Sequence, residues 1–568
     1  MGGGLLALAM LGVLIVYASR IFLELPLYPA AEGGYLIQAL YGKTLPSHPE
    51  LLADVQGLNN TAFFLVIRAT TYATQDLLAW MRVLGACAYF AGVMLVWRSA
   101  RDEAGQSPPL GFLLLALAFP YYRFAFAVLP DGWYVAVLGA IILLTARVYL
   151  SRPIIQAIVA GALGAVLALL KPQGASVVLA VLILALLDGF LGLRDIRVLI
   201  GRVVVFATVF LTAGNLVLLA AGQPVLSPFA FMFNARQAAV LDVGMTAETL
   251  TGAVRALAPL LSSFLLLAGI PALAGLLRIE MRWRWIVERK LGPFRLERQE
   301  IAFLLVLLSL IAALGMTAIF EPAETGRIAG REFELFTPLL WLTSAPFIAE
   351  LDRAGARWWR IAMGLVVAVG LAGLMICLAG GATTPPWETA ALSAFAWGGP
   401  STVPHFALAC AVVLAAAVAM GFTAWPTQRI WLGCFAGLAV LSTLVDIGWE
   451  SSGRPDRATL AADLRQADKI AGQRLGGVAV IAGDKGTAHQ LFLGLRGRPQ
   501  TVLIGPDAER PAGRLADIDT VVAAGAKPPI NTWRPIFEGR SLKVFERASP
   551  PHLHVTDGEP LGSSAVSG

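Results

Sequence analysis

Ile301–Ile319 reads IAFLLVLLSLIAALGMTAI, without one charged side chain. A helix of that length rises about 28 Å at 1.5 Å per residue, enough for the ~30 Å hydrocarbon core of a bilayer. Similar apolar blocks recur from end to end. We place thirteen, near residues 3–22, 78–97, 110–129, 133–148, 155–170, 174–192, 203–221, 257–277, 301–319, 336–350, 361–380, 404–423 and 430–447. Each is expected to be helical, because lipid gives backbone N–H and C=O groups no other partner. The 568 residues are 57% hydrophobic and 14% charged, which excludes a soluble enzyme, a fibre and a disordered chain. The expected fold class is an all-α polytopic membrane bundle of about thirteen transmembrane helices over residues 1–447.

The net charge of +6 comes from short basic clusters between the blocks, a pattern of membrane orientation and not of nucleic-acid binding. With the N-terminus cytoplasmic, the inner loops hold 18 Lys and Arg against 7 outside, or 10 when Arg20, Arg82 and Arg123 are added. The bias predicts a cytoplasmic N-terminus, and thirteen spans then put the C-terminus outside. Gly2–Phe22 lacks a basic leader and a small-residue cleavage site, so a retained first span is expected. Cys87, Cys377, Cys410 and Cys434 all lie in apolar blocks without CxxC spacing, which suggests neither a disulfide framework nor zinc.

Beyond residue 447 the composition turns mixed and polar. Gly477–Ala482, Thr501–Ile504, Thr520–Ala523 and Leu542–Phe545 read as strands, and stretches near 457–472 and 486–495 carry helical spacing. Residues 448–568 are therefore expected to form a small extracytoplasmic α/β domain with a frayed tail from Gly558. Asp517-Ile518-Asp519 reads as strand-edge surface charge, and Ala482–Thr487 as an ordinary strand-to-helix turn.

The unusual polar residues gather in the expected outer loops. In the first, Leu36, Ile37, Leu40 and Tyr41 follow helical spacing up to Gly42, with Glu32 in the first turn. Glu32 reads either as a cap favoured by the helix dipole or as a functional carboxylate. Pro130-Asp131-Gly132 forms a very short second loop, where Asp131 is equally an N-cap or a paired, working acid. Lys171-Pro172-Gln173-Gly174 ends a helix at the same boundary; its ammonium either snorkels to lipid or holds a phosphate. Arg82, just inside its span, is expected to snorkel as well. Arg327 and Arg331, four residues apart between Glu321 and Glu334, can share a helical face suited to phosphate oxygens. Gln223–Arg255 adds Asn234, Arg236 and Asp242 at a spacing that spells no known chemistry. His48 and His405 are too isolated for metal ligation.

In this order the motifs resemble those of the GT-C glycosyltransferases, the multispanning group that includes protein mannosyltransferases and aminoarabinose transferases. The resemblance covers about residues 1–350 and rests on Glu32-Gly-Gly-Tyr35-Leu-Ile-Gln-Ala-Leu-Tyr-Gly42, Pro130-Asp131-Gly132, Lys171–Gly174 and Gly330-Arg331-Glu332-Phe333-Glu334. Two departures stand out. Many relatives carry Asp or Asp-Glu in the first loop where this chain has Ala31-Glu32, and an aromatic–Asn pair is replaced by Arg331-Glu332-Phe333.

The resemblance implies an inverting transfer of a sugar from a polyprenyl-phosphate donor to an extracytoplasmic glycolipid, polysaccharide or protein, in the bacterial inner membrane. Glu32 would take the proton of the acceptor hydroxyl. Lys171, Arg331 and Arg327 would stabilise the departing lipid phosphate, and Asp131 would orient the acceptor or hold Arg123. Tyr35, Arg123 and Glu334 complete the implied binding set. No metal or other cofactor is required, because cationic side chains can neutralise the leaving phosphate. A secondary transporter is the main alternative, yet its ionisable residues would sit near mid-span, where these spans are almost uncharged. A lipid-linked polysaccharide polymerase or ligase, and a non-catalytic assembly protein, are further alternatives.

Overall fold

A computed structural model describes residues 2–42, 60–101, 108–149, 151–190, 196–223, 246–289, 296–320, 330–354, 357–384, 389–396, 403–423, 425–473, 477–505, 517–525 and 533–548, with Leu51, Phe294, Ile328 and Leu515 besides. It divides into two compact units, Met1–Lys43 with Ala53–Pro455, and Thr44–Leu52 with Asp456–Gly568.

The first unit is helical. Among the described residues nine helices are long and apolar enough to cross a membrane. They include α4 (Leu77–Ser99), α6 (Asp131–Val148), α7 (Pro153–Leu170), α9 (Ile196–Ala220), α10 (Ala247–Glu288), α11 (Arg298–Phe320), α13 (Arg357–Ala379), α14 (Val403–Phe422) and the membrane part of α15 (Thr427–Gly472). The expected count of thirteen is not reached by this measure. Helices α1 (Gly2–Ala18), α8 (Gly174–Phe190) and α12 (Thr337–Arg353), at 17 residues each, fall just short. The block near 110–129 differs in kind. Helix α5 stops at Leu117 after eight residues, and a 3-10 turn, Pro120–Phe126, follows. Pro120 has no N–H to continue the ladder and its ring would strike the preceding turn.

Two helices lie in the expected first outer loop and its continuation. Helix α2 (Pro29–Tyr41) is the predicted amphipathic segment, ended at Gly42. Helix α3 (Thr61–Ala73) is not foreseen by the sequence reading, and Arg68 Nε fastens it to α2 by donating to the Ala39 carbonyl at 2.8 Å.

Helices α4 and α6 approach along a glycine seam. A methyl group at Gly132 would fall 2.1 Å from the Gly85 carbonyl oxygen, one at Gly92 2.3 Å from that of Val135, and one at Gly139 2.5 Å from that of Gly92. Small residues are what lets two helices meet backbone to backbone where lipid supplies no hydrophobic drive. The seam fixes the start of α6, and with it Asp131.

The second unit holds a five-stranded sheet in the order β2-β1-β3-β5-β4: β1 (Gly477–Ala482), β2 (Thr501–Ile504), β3 (Ile518–Ala524), β4 (Trp533–Glu538) and β5 (Lys543–Arg547). β1 pairs in parallel with β2 and β3, and β5 runs antiparallel to β3 and β4. Strand β4 is the one the sequence reading omits; Pro535 interrupts its pattern, and it lies at an edge, where proline is tolerated. Asp517 and Asp519 are exposed around buried Ile518, and Asp484 caps α16 (Lys485–Gly494) by accepting from the Thr487 amide at 2.9 Å. The tail from Gly558 lies outside the described residues.

Candidate active site

Five chain segments of the first unit converge at the first turn of α6. Pro130 takes the N-cap position without a side-chain cap bond, and the oxygens of Asp131 turn to cations instead. Oδ1 accepts from Lys171 Nζ at 3.1 Å and from the Tyr121 hydroxyl, and Oδ2 accepts from Arg331 Nη2 at 2.6 Å. Lys171 Nζ also lies 3.4 Å from Glu332 Oε2 and donates to the Arg331 carbonyl at 3.4 Å. Arg331 in turn donates to the Tyr35 hydroxyl on α2; burial pushes that phenol up to about 12, so it remains protonated.

Of the two readings for Asp131 the geometry thus selects ion pairing over capping. For Lys171 it selects the protein interior over lipid. Lys171 follows the last turn of α7 with extended backbone, as a residue before proline must, and its side chain is 5% exposed. The side chains of Arg331 and Glu332, at 15% and 22%, are the open part of the cluster. Two acids and two bases balance, so no net charge is buried. Among the described residues no three metal-ligating side chains stand together.

A second network meets the first at the Phe124 ring. The guanidinium carbons of Arg331 and Arg123 are 5.2 and 5.0 Å from that ring's centroid. Arg123 does not reach Asp131. It lies 2.9 Å from Asp446 Oδ1 on α15 and donates to the Thr389 carbonyl at 2.8 Å; Asp446 also pairs with Arg20 at the end of the first helical segment. Arg20, Arg123 and Asp446 are at most 1% exposed. Arg82 does not snorkel: it is buried and donates to the carbonyls of Arg20, Leu23 and Leu25.

Glu32 belongs to neither network and is fully buried. Its Oε1 accepts from the Tyr28 amide at 2.7 Å, and its Oε2 from the Val128 amide at 2.9 Å. The first bond reaches back to the N-cap of α2 from one residue beyond the capping-box position. The second ties that helix to the strand of chain three residues before Asp131. Glu334, also buried, accepts the amides of Ala390 and Ala391 on Oε2 at 2.7 and 3.0 Å. Burial pushes its carboxyl up to about 7, against the opposing pull of those amides and Arg123.

Of the expected residues, then, Tyr35, Asp131, Lys171 and Arg331 come together. Glu32, Arg123 and Glu334 lie behind them in the packed interior, and Arg327, with Asn234, Arg236, Asp242 and His48, lies outside the described residues. The sequence reading misses Tyr121, Phe124 and Asp446. Their signals were present: an aromatic run after Pro120, and one acid in the last turn of an apolar span.

The chain superposes on ArnT from Cupriavidus metallidurans bound to undecaprenyl phosphate with a TM-score of 0.50 and 16% identity, over 97% of this chain and 99% of that one. The fold is ArnT-like. The same protein in its apo state gives a TM-score of 0.49 and 15% identity. The likeness is one of fold; it agrees with the GT-C resemblance of the sequence motifs and extends past residue 350 through the sheet domain. No protein-family model and no curated sequence matches the chain.

Proposed function

We propose that this membrane protein transfers a sugar from a polyprenyl-phosphate donor to a hydroxyl on an extracytoplasmic acceptor. The observation that carries the reading is the convergence of Lys171 and Arg331 on Asp131, partly open to the outside, in a fold like that of a protein crystallised with undecaprenyl phosphate. The positive-charge bias of the loops puts this cluster on the extracytoplasmic side.

In this mechanism the donor's phosphate takes hydrogen bonds from Lys171 Nζ and the Arg331 fork, and Glu332 is displaced toward solvent. Asp131, released from its cationic partners, receives the hydrogen bond of the acceptor hydroxyl. The acceptor oxygen attacks the anomeric carbon, the carbon–oxygen bond to phosphate breaks, and the lipid phosphate leaves with the electron pair. The hydroxyl proton passes to Asp131. Lys171 and Arg331 carry the catalytic load by neutralising charge that grows on the leaving phosphate. Tyr35 and Phe124 hold the Arg331 guanidinium in place.

Glu32 acts here as a positioning residue that fixes the loop ahead of Asp131. Its oxygens each keep one lone pair, so it is the second candidate for the base. The two assignments separate in a single experiment. Mass spectrometry of glycolipids and glycoconjugates from cells carrying the wild type, Asp131→Asn or Glu32→Gln reads out both the missing product and the accumulating donor. Loss of product with donor accumulation in Asp131→Asn, and partial activity in well-folded Glu32→Gln, is expected. Full activity in Asp131→Asn with none in Glu32→Gln would move the base to Glu32. Uptake without transfer by reconstituted protein would replace the enzyme with a transporter.

A further inference from the structure

At the far end of α6 from Asp131, some 26 Å away by helical rise, four arginines meet from three helices. Arg98 closes the last turn of α4 and Arg101 follows it, Arg147 lies in the last turn of α6, and Arg298 opens α11. Arg298 Nη2 donates to the Arg98 carbonyl at 3.3 Å, and Gln299 Nε2 to the Ala100 carbonyl at 3.4 Å, which ties α11 to the end of α4. The like charges of Arg98, Arg101 and Arg147 all bear on Arg298. Arg101 stacks 5.4 Å from the centroid of Trp97.

Among the described residues none of these four has an ion-pair partner, and the buried Nε atoms of Arg101 and Arg298 have no hydrogen-bond acceptor. Elsewhere at this end some arginines are matched, Arg278 with Glu350, Arg282 with Glu297 and Glu300, Arg284 with Glu280, while Arg353 and Arg360 donate to main-chain carbonyls one at a time and do not converge. Charges that merely set membrane orientation need only stand in the loops, and gain nothing by converging against their own repulsion. Four converging guanidiniums with no acidic partner among the described residues suit an anion with several oxygens.

We propose that this cluster binds the phosphate of an anionic phospholipid headgroup from the leaflet opposite the sugar-transfer site. A lipid is the source the position favours, since the cluster lies at the ends of three candidate spans, at the depth of the headgroups. The phosphate spans Arg101 and Arg298, with Arg98 and Arg147 on its open side. The bound lipid would cement the ends of α4, α6 and α11.

Native mass spectrometry of the full-length protein, with phosphatidylglycerol or phosphatidylcholine in the micelle, tests it. The wild type should retain phosphatidylglycerol and not phosphatidylcholine. Arg147→Gln and Arg298→Gln should each weaken retention about fivefold, the effect of one basic residue near an anionic headgroup. Arg298→Lys, which keeps the charge, should restore most of it. Arg357→Gln, an exposed arginine outside the cluster, should change it less than twofold. Equal effects of Arg147→Gln, Arg298→Gln and Arg357→Gln would overturn the site. Displacement of the lipid by millimolar inorganic phosphate would overturn the lipid as its source. A rise in thermal midpoint with phosphatidylglycerol in the wild type, absent in the Arg147→Gln/Arg298→Gln pair, gives an independent reading.

Discussion

The two charge networks that meet at Phe124 use the same residue types to opposite ends. In the buried rear network Arg20 and Arg123 pair with Asp446, Arg82 and Arg123 donate to main-chain carbonyls, and all three are at most 1% exposed. In front, Lys171 and Arg331 lean on Asp131 and Glu332, with Arg331 and Glu332 part-exposed. The difference is one of exchangeability. A carbonyl built into a helix end cannot step aside for a ligand, whereas a side-chain carboxylate can. Under the proposed function the front network trades partners with a phosphate and the rear one stays as it is.

The sharpest way to break this contrast is Asp446→Asn. It strands two buried guanidiniums and is expected to cost about 3–5 kcal/mol of stability, seen as loss of monodisperse protein in detergent. A well-folded, active Asp446→Asn protein would erase the distinction. Asp131→Asn should act mainly on activity, lowering transfer by about 10²–10⁴-fold, with a smaller loss of stability than Asp446→Asn because Arg331 and Glu332 are part-exposed. Lys171→Gln and Arg331→Gln should each weaken binding of undecaprenyl phosphate by about tenfold, measured by isothermal titration in detergent.

The mildest effect concerns pH. Glu334 is raised from the ordinary 4.5 to about 7, so the native state holds a proton that the unfolded chain releases. Stability should be greatest below about 4.5, decline as pH rises toward about 7, and level off above it. Glu334→Gln should flatten that stretch of the midpoint-against-pH curve. An unchanged slope would place the titration elsewhere.

The long spans were legible because composition alone decides them: a charge-free block such as 301–319 has one stable form in lipid. The partners of the charges were not. Arg20 and Asp446 stand 426 residues apart, and no local spacing links them. Lys171 gave the same sequence signal for snorkelling and for ligand binding, and only the neighbouring start of α6 settles which way its ammonium turns. Asp131 was ambiguous for a related reason: its helix does begin there, but Pro130 holds the cap position and leaves the carboxylate unspent. The break after Leu117 hid in plain view, since an apolar block with Pro120 inside it still averages as a membrane span.

The seam of Gly85, Gly92, Gly132 and Gly139 has a mechanical corollary. Two helices locked main chain against main chain cannot slide or roll without collision, so the carboxylate at the top of one of them is a stationary anvil. Any change in how Asp131 meets Lys171 and Arg331 must then come from those two side chains and the segments that carry them.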